Sequence, residues 1–198
     1  MKKVLLTLSI FVILFGTAAL PVFADAIVTV EGNSPSITAK TVIFDTVTLN
    51  GLDQTTNGQS SEPWVAVDPT GTWAGWYATI SSTPFTNITP GFEGKQIDWN
   101  QGTGLRIKLR NENVNVAVSE NGEPHGDPDR APYSLVTDYT KFGNEPIAFV
   151  AAEAEKGMGT WELTPVFDLY IPAETYRGSY QATFTVTIHS GTLNGPEG

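Results

Sequence analysis

The 198-residue chain contains no cysteine, two histidines, two methionines, and 11 Lys and Arg against 21 Asp and Glu. Without a thiol there is no disulfide, no thiolate nucleophile, no Cys-ligated zinc site and no sulfur for lipid attachment. His125 and His189 stand 64 residues apart, and neither a Gly-x-Ser-x-Gly elbow nor a phosphate-cradling Gly-Lys-Ser/Thr loop is present. The sequence therefore reads as a binding or structural protein and not as an enzyme, and no motif calls for a cofactor. The shortage of cations argues against nucleic acid or an anionic bilayer as the main partner.

Long hydrophobic runs are also scarce, with one over residues 4–20. It follows Met1-Lys2-Lys3 and precedes Val22-Phe23-Ala24, which sets small residues at the two positions read by a signal peptidase. This predicts a signal peptide over residues 1–24, a single domain over residues 25–190 and a flexible tail over residues 191–198. Cleavage would leave nine Lys and Arg against the same 21 carboxylates, a net charge of −12, and no segment for a membrane. A cysteine-free exported domain suits a bacterial cell surface better than a eukaryotic extracellular module, where small domains are often cross-linked.

What is present is period-two alternation. Trp76, Ala78 and Ile80 fall on one side of a strand, Tyr77 and Thr79 on the other. Residues 64–67 and the turn Asp68-Pro69-Thr70-Gly71 are expected to form a hairpin with that strand. Residues 41–49 read as a strand ending at Asn50-Gly51, residues 51–61 as a loop, and residues 82–104 as a long connection. Leu105 to Arg110 alternates strictly and is expected to pair as a hairpin with residues 114–118. Residues 26–30 and 166–171 also read as strands. Residues 147–155 suit a strand or a short helix, with strand preferred, and residues 133–144 are ambiguous. Residues 180–189 form the clearest strand, with Tyr180, Ala182, Phe184, Val186 and Ile188 inward. Short strands punctuated by Gly and Pro, with no amphipathic helix, give an all-β fold: an antiparallel β-sandwich of Ig-like or Greek-key type with long loops.

Three stretches carry a resemblance: Gly75-Trp76 after the Asp-Pro-Thr-Gly turn, Gly157-Met158-Gly159-Thr160-Trp161-Glu162-Leu163, and residues 171–183 (Ile-Pro-Ala-Glu-Thr-Tyr-Arg-Gly-Ser-Tyr-Gln-Ala-Thr). Together they resemble the WxL-domain surface proteins of Gram-positive bacteria, over roughly residues 41–190. The resemblance implies a secreted β-rich module held non-covalently on peptidoglycan. The first Trp-x-Leu position is Trp76-Tyr77-Ala78 here, and the second would fall on Val186-Thr187-Ile188, without a Trp; Trp161-Glu162-Leu163 keeps the letters but lies upstream.

The candidate binding residues follow from these readings. Trp76 belongs on a core face, whereas Trp73, beyond Gly75, is either a packed plug or an exposed stacking surface. Tyr77 and Trp161 join them through the motif resemblance, and Trp64 and Trp99 read more readily as core. Arg106, Lys108 and Arg110 share one strand face, either as a guard against edge-to-edge pairing or as a cationic stripe for an anionic wall polymer. The loop over residues 120–129 is rich in oxygen donors but lacks the spacing of a calcium loop, so no metal is expected. Asn87-Ile88-Thr89 matches a glycosylation acceptor. The expected function is attachment to peptidoglycan or an associated wall polymer, with other surface proteins as a second class of partner. The alternative is a structural subunit of a surface layer or fibre, joined through the long final strand.

Overall fold

Alternation of inward and outward side chains decides this backbone. In the computed structural model, which describes residues 31–97 and 101–193, sixteen β-strands and two single-turn 3-10 segments are the regular elements. The expected signal peptide, the strand over residues 26–30, Trp99 and the tail from residue 194 lie outside the described residues. The fold is all-β, with antiparallel sheets packed as a sandwich.

Four sheets form around one core. Trp64–Asp68 lies between Ser36–Thr38 and Gly159–Leu163, with Val114–Val116 outside the latter. Trp76–Ser82 lies between Ile147–Ala152 and Phe184–Ser190, with Tyr133–Ser134 beyond Ile147–Ala152. The third sheet runs Thr140–Lys141, Leu105–Lys108, Val166–Ile171, Gln54–Ser60, Val42–Phe44. The smallest joins Tyr180–Gln181, Phe85–Asn87 and Gln96–Ile97. Nearly all of these neighbours are distant in sequence.

The core is aromatic at its centre. Trp64, Trp76, Trp161, Phe149 and Phe167 are each at most 1% exposed, and burying a large apolar side chain contributes roughly 1.5–3 kcal/mol. Trp64 meets Phe149 edge-on at 6.0 Å and Phe167 at 5.9 Å, so one ring ties together three sheets. This arrangement explains why neither expected hairpin forms. Trp64 and Ala66 on one strand and Trp76, Ala78 and Ile80 on the other are all fully buried, and the two strands lie in different sheets that share the core instead of pairing. Leu105–Lys108 and Val114–Val116 are separated in the same way, by the 3-10 turn Asn111–Asn113.

Other expectations need correction. Residues 54–60 form a seven-residue strand where a loop was expected. Its inward positions are Thr56, Gly58 and Ser60, small enough for a neighbouring ring: a Cβ on Gly58 would lie 2.7 Å from Phe44. The Thr56 hydroxyl donates to the Asp45 carbonyl at 2.7 Å, and the preceding strand ends at Phe44, short of the expected Leu49. The connection over residues 82–104 contains two of the short strands. The clearest strand of the sequence is divided, because Tyr180–Gln181 pairs with Phe85–Asn87 and Phe184–Ser190 with Trp76–Ser82. Thr83 sits at that division, donating its N–H to the Thr183 carbonyl at 3.0 Å and accepting from the Thr183 N–H at 2.9 Å. Residues 147–152 are strand, with an irregularity between Ala148 and Val150 and four consecutive buried residues from Phe149.

Phe184 stacks on Phe167 at 5.0 Å and on Phe142 at 6.0 Å, whereas Thr185 faces water. Phe184→Ala is expected to cost about 3 kcal/mol and Thr185→Ala under about 0.5 kcal/mol in denaturant melts. Equal costs would contradict the observed register.

Candidate functional site

The most elaborately built surface lies where three loops meet, around residues 71–75, 127–131 and 153–158. Two glycines permit the approach. A Cβ on Gly75 (φ 77°) would sit 2.5 Å from the Ala152 carbonyl oxygen, and one on Gly157 (φ 78°) would sit 2.3 Å from the Ala152 Cβ and 2.7 Å from the Trp76 indole nitrogen. Because Gly157 has no side chain, its buried carbonyl accepts from the Nε1–H of Trp76 at 2.9 Å and from that of Trp161 at 2.8 Å. A carbonyl oxygen has two lone pairs, so both indoles are satisfied by one atom.

Above this junction sits Trp73. It and Glu155 are the two non-glycine residues with positive φ among the described residues, at 56° and 67°, and the Glu155 N–H donates to the Trp73 carbonyl at 2.8 Å. Left-handed backbone costs of order 1–3 kcal/mol per residue and collects where the surrounding structure imposes it, often at functional sites. Arg130 closes the corner. Its carbonyl accepts from the Gly157 N–H at 2.8 Å, its guanidinium lies 4.9 Å over the Trp73 ring and donates to the Glu155 carbonyl at 3.3 Å, and it pairs with Asp127 at 3.4 Å. Trp73 remains 37% exposed, a fixed indole partly in water.

The four aromatic candidates therefore separate. Trp73 is at the surface, whereas Trp76 and Trp161 are 0% and 1% exposed, with their polar edges spent on Gly157. These two hold the corner together and offer no ring face to an outside ligand. Tyr77 points to the opposite side of its strand from Trp76 and stacks on His189 at 4.5 Å, whose ring nitrogen lies 3.3 Å from the Thr79 hydroxyl.

The basic stripe does not guard a sheet edge. Leu105–Lys108 is an interior strand, so a guard against edge pairing is not needed there. Arg106 lies directly across from Asp168 on the next strand and donates to it through Nε, at 2.8 Å, and through a second guanidinium nitrogen. Asp168 is 3% exposed; without this fork a carboxylate would be buried unpaired, and its hydrogen bond raises the Arg106 pKa above the ordinary value. Arg106 and Lys108 both lie over Tyr139, at 4.9 and 5.3 Å, and Arg110 pairs with Glu112 at 3.1 Å. Arg106 is thus committed to a buried carboxylate and Arg110 shares an exposed ion pair, which leaves Lys108 without a carboxylate partner among the described residues.

No protein-family model, curated protein or solved structure matches this chain. The geometry alone therefore defines the candidate site as Trp73 with Arg130, held by Glu155 and Gly157. Arg130 and Glu155 escaped the sequence reading because their roles depend on backbone carbonyls and a left-handed turn. The repeated Gly157-x-Gly159 was the available signal: a Cβ on Gly159 would lie 2.2 Å from the His125 carbonyl oxygen, so both glycines mark close backbone approach. In the acidic loop, the Asp127 side chain accepts from the Asp129 N–H at 3.0 Å and pairs with Arg130, which gives that carboxylate a structural role.

Glu155→Gly relieves a left-handed residue and is expected to leave stability unchanged or raise it by up to about 1 kcal/mol. Gly157→Ala is expected to lower it by more than about 2 kcal/mol, since the added methyl group meets Ala152 and Trp76. Thermal melts of the two variants check both signs, and a clear loss from Glu155→Gly would contradict the assignment of strain.

Proposed function

We propose that this protein is a secreted bacterial surface protein that attaches non-covalently to the cell wall, with Trp73 as the contact ring for peptidoglycan or an associated wall polymer. The observation that carries this reading is the presentation of Trp73: a partly exposed indole on strained backbone, braced by Arg130 and Glu155. A ring fixed before binding loses little conformational freedom when a sugar stacks on it. The leader-like residues 1–24 and the WxL resemblance support the same reading. The buried Trp161 shifts its emphasis, since the Trp-Glu-Leu segment then serves as scaffold and the neighbouring Trp73 as contact.

A second reading, as a subunit of a surface layer or fibre, is favoured by one feature. Phe184–Ser190 is the outer strand of its sheet, seven residues long, and its far edge has no partner strand among the described residues. Such an edge can accept a strand from another copy.

Co-sedimentation with isolated sacculi tests the main reading. The protein is expected to pellet with sacculi, and Trp73→Ala to reduce binding about tenfold or more while Thr185→Ala leaves it unchanged. Binding through a ring should largely persist when the Debye length falls from ~10 Å at 0.1 M to ~3 Å at 1 M salt. Failure to pellet at any salt, together with long polymers in negative-stain images, would favour the subunit reading instead.

A further inference from the structure

The smallest sheet carries a second aromatic surface that is independent of Trp73. Lys40, Arg106, Arg110, Arg130 and Lys156 each lie within ion-pair distance of a carboxylate. Lys95 and Arg177 have no such partner among the described residues, although carboxylates outnumber cations in this chain by 21 to 11. Each lies on an aromatic ring instead: Lys95 is 4.8 Å from the centre of Tyr176, and Arg177 is 5.4 Å from that of Phe92. The two rings meet at 6.0 Å with a 45° tilt, so ammonium, phenol, phenyl and guanidinium form one continuous layered patch. Tyr176 is 49% exposed, and both cations are in water.

The backbone beneath this patch is firmly held. Asn87, 1% exposed, is the pivot. Its side-chain amide donates to the Arg177 carbonyl at 3.0 Å and its side-chain oxygen accepts from the Thr89 N–H at 2.8 Å. Its own N–H donates to the Lys95 carbonyl at 2.7 Å, and its carbonyl accepts from the Gly94 N–H at 3.1 Å. The Thr89 hydroxyl accepts from the Ser179 N–H at 2.7 Å, and the Tyr180 hydroxyl donates to the Tyr176 carbonyl at 2.7 Å. A Cβ on Gly178 would meet the Asn87 side chain at 2.6 Å, which explains glycine directly after Tyr176-Arg177. Asn87 in the glycosylation match is thus buried, with its side-chain nitrogen and oxygen both hydrogen-bonded, and what it organises is the pair of loops bearing the patch.

We propose that Phe92, Lys95, Tyr176 and Arg177 form a binding site for an acidic glycan, a chain of sugar rings bearing carboxylates. The exposed part of the Tyr176 ring, continued by the half-buried Phe92, offers apolar surface to the C–H face of a pyranose. An ammonium and a guanidinium at the two ends of the ring pair supply charge-assisted hydrogen bonds to carboxylates on successive or alternate sugars. Bulk attraction cannot account for binding of a polyanion, because the chain as a whole carries −10. Recognition therefore depends on this local combination of ring and charge.

Calorimetric titration of the purified protein tests it at low salt, using hyaluronan hexasaccharide and oligogalacturonate as probes. A neutral chitohexaose supplies rings without charge, and a glutamate peptide of matched charge supplies charge without rings. At least one uronate glycan is expected to bind about tenfold or more tighter than both controls. Tyr176→Ala and the double variant Lys95→Gln/Arg177→Gln should each lose about tenfold or more of that affinity, whereas Trp73→Ala should keep it. Circular dichroism verifies that the variants fold, and the exposed Lys95→Gln/Arg177→Gln pair carries the test if Tyr176→Ala does not. No saturable binding of either uronate, equal binding of a control, or unchanged affinity in the folded variants would overturn the proposal. Loss of sacculus binding by Trp73→Ala with uronate binding intact separates this site from the wall-attachment reading.

Discussion

One carbonyl oxygen, that of Gly157, holds the tryptophan corner together. Two indoles that come from different sheets, Trp76 and Trp161, need acceptors inside an apolar interior, and a buried N–H left unpaired costs about 1–3 kcal/mol. Both find the same atom. That requirement fixes where residues 153–158 run, and it demands glycine at 157, because any side chain there would occupy the space of Ala152 and Trp76.

The strain at the surface follows from this anchor. With Gly157 pinned from below and its N–H bound to the Arg130 carbonyl, Glu155 turns left-handed to reach the Trp73 carbonyl, and Trp73 is left-handed in turn. Arg130 is placed by the same hydrogen bond, so its guanidinium over the Trp73 ring is a consequence of the core arrangement. The backbone that carries the exposed ring is therefore tied to the sandwich beneath it. Of the tryptophans that the WxL resemblance suggested as contacts, Trp76 and Trp161 are buried and bonded to Gly157, and the nearby Trp73 is partly exposed.

How much of this was legible depends on what a side chain reveals by itself. Strands with large inward residues were clear: Leu105, Ile107 and Leu109, or Trp76, Ala78 and Ile80, are all fully buried as alternation predicts. Alternation names a face but not a neighbour, so both expected hairpins were assigned to the wrong partners. Gln54–Ser60 was hidden because an inward face of Thr, Gly and Ser has the composition of a loop; its pairing with Val166–Ile171 on one side and Val42–Phe44 on the other, brought by folding, makes it a strand. The division of residues 180–190 was invisible because the period continues unbroken through it. In the candidate site Trp73 was legible and Arg130 and Glu155 were not, since backbone conformation sets their roles. Arg106 was visible as a cation, but its commitment to Asp168, 62 residues away, is a fact of sheet register.

A double-mutant cycle on Trp76→Phe and Trp161→Phe tests the shared acceptor most directly. Each single change removes one indole N–H and leaves the Gly157 carbonyl still bonded to the other, whereas the pair together strands a buried acceptor. Denaturant melts should show the double variant losing more stability than the two singles combined, by about 1 kcal/mol. Strict additivity would mean that the two indoles act independently, and would contradict the account of Gly157 as their common anchor.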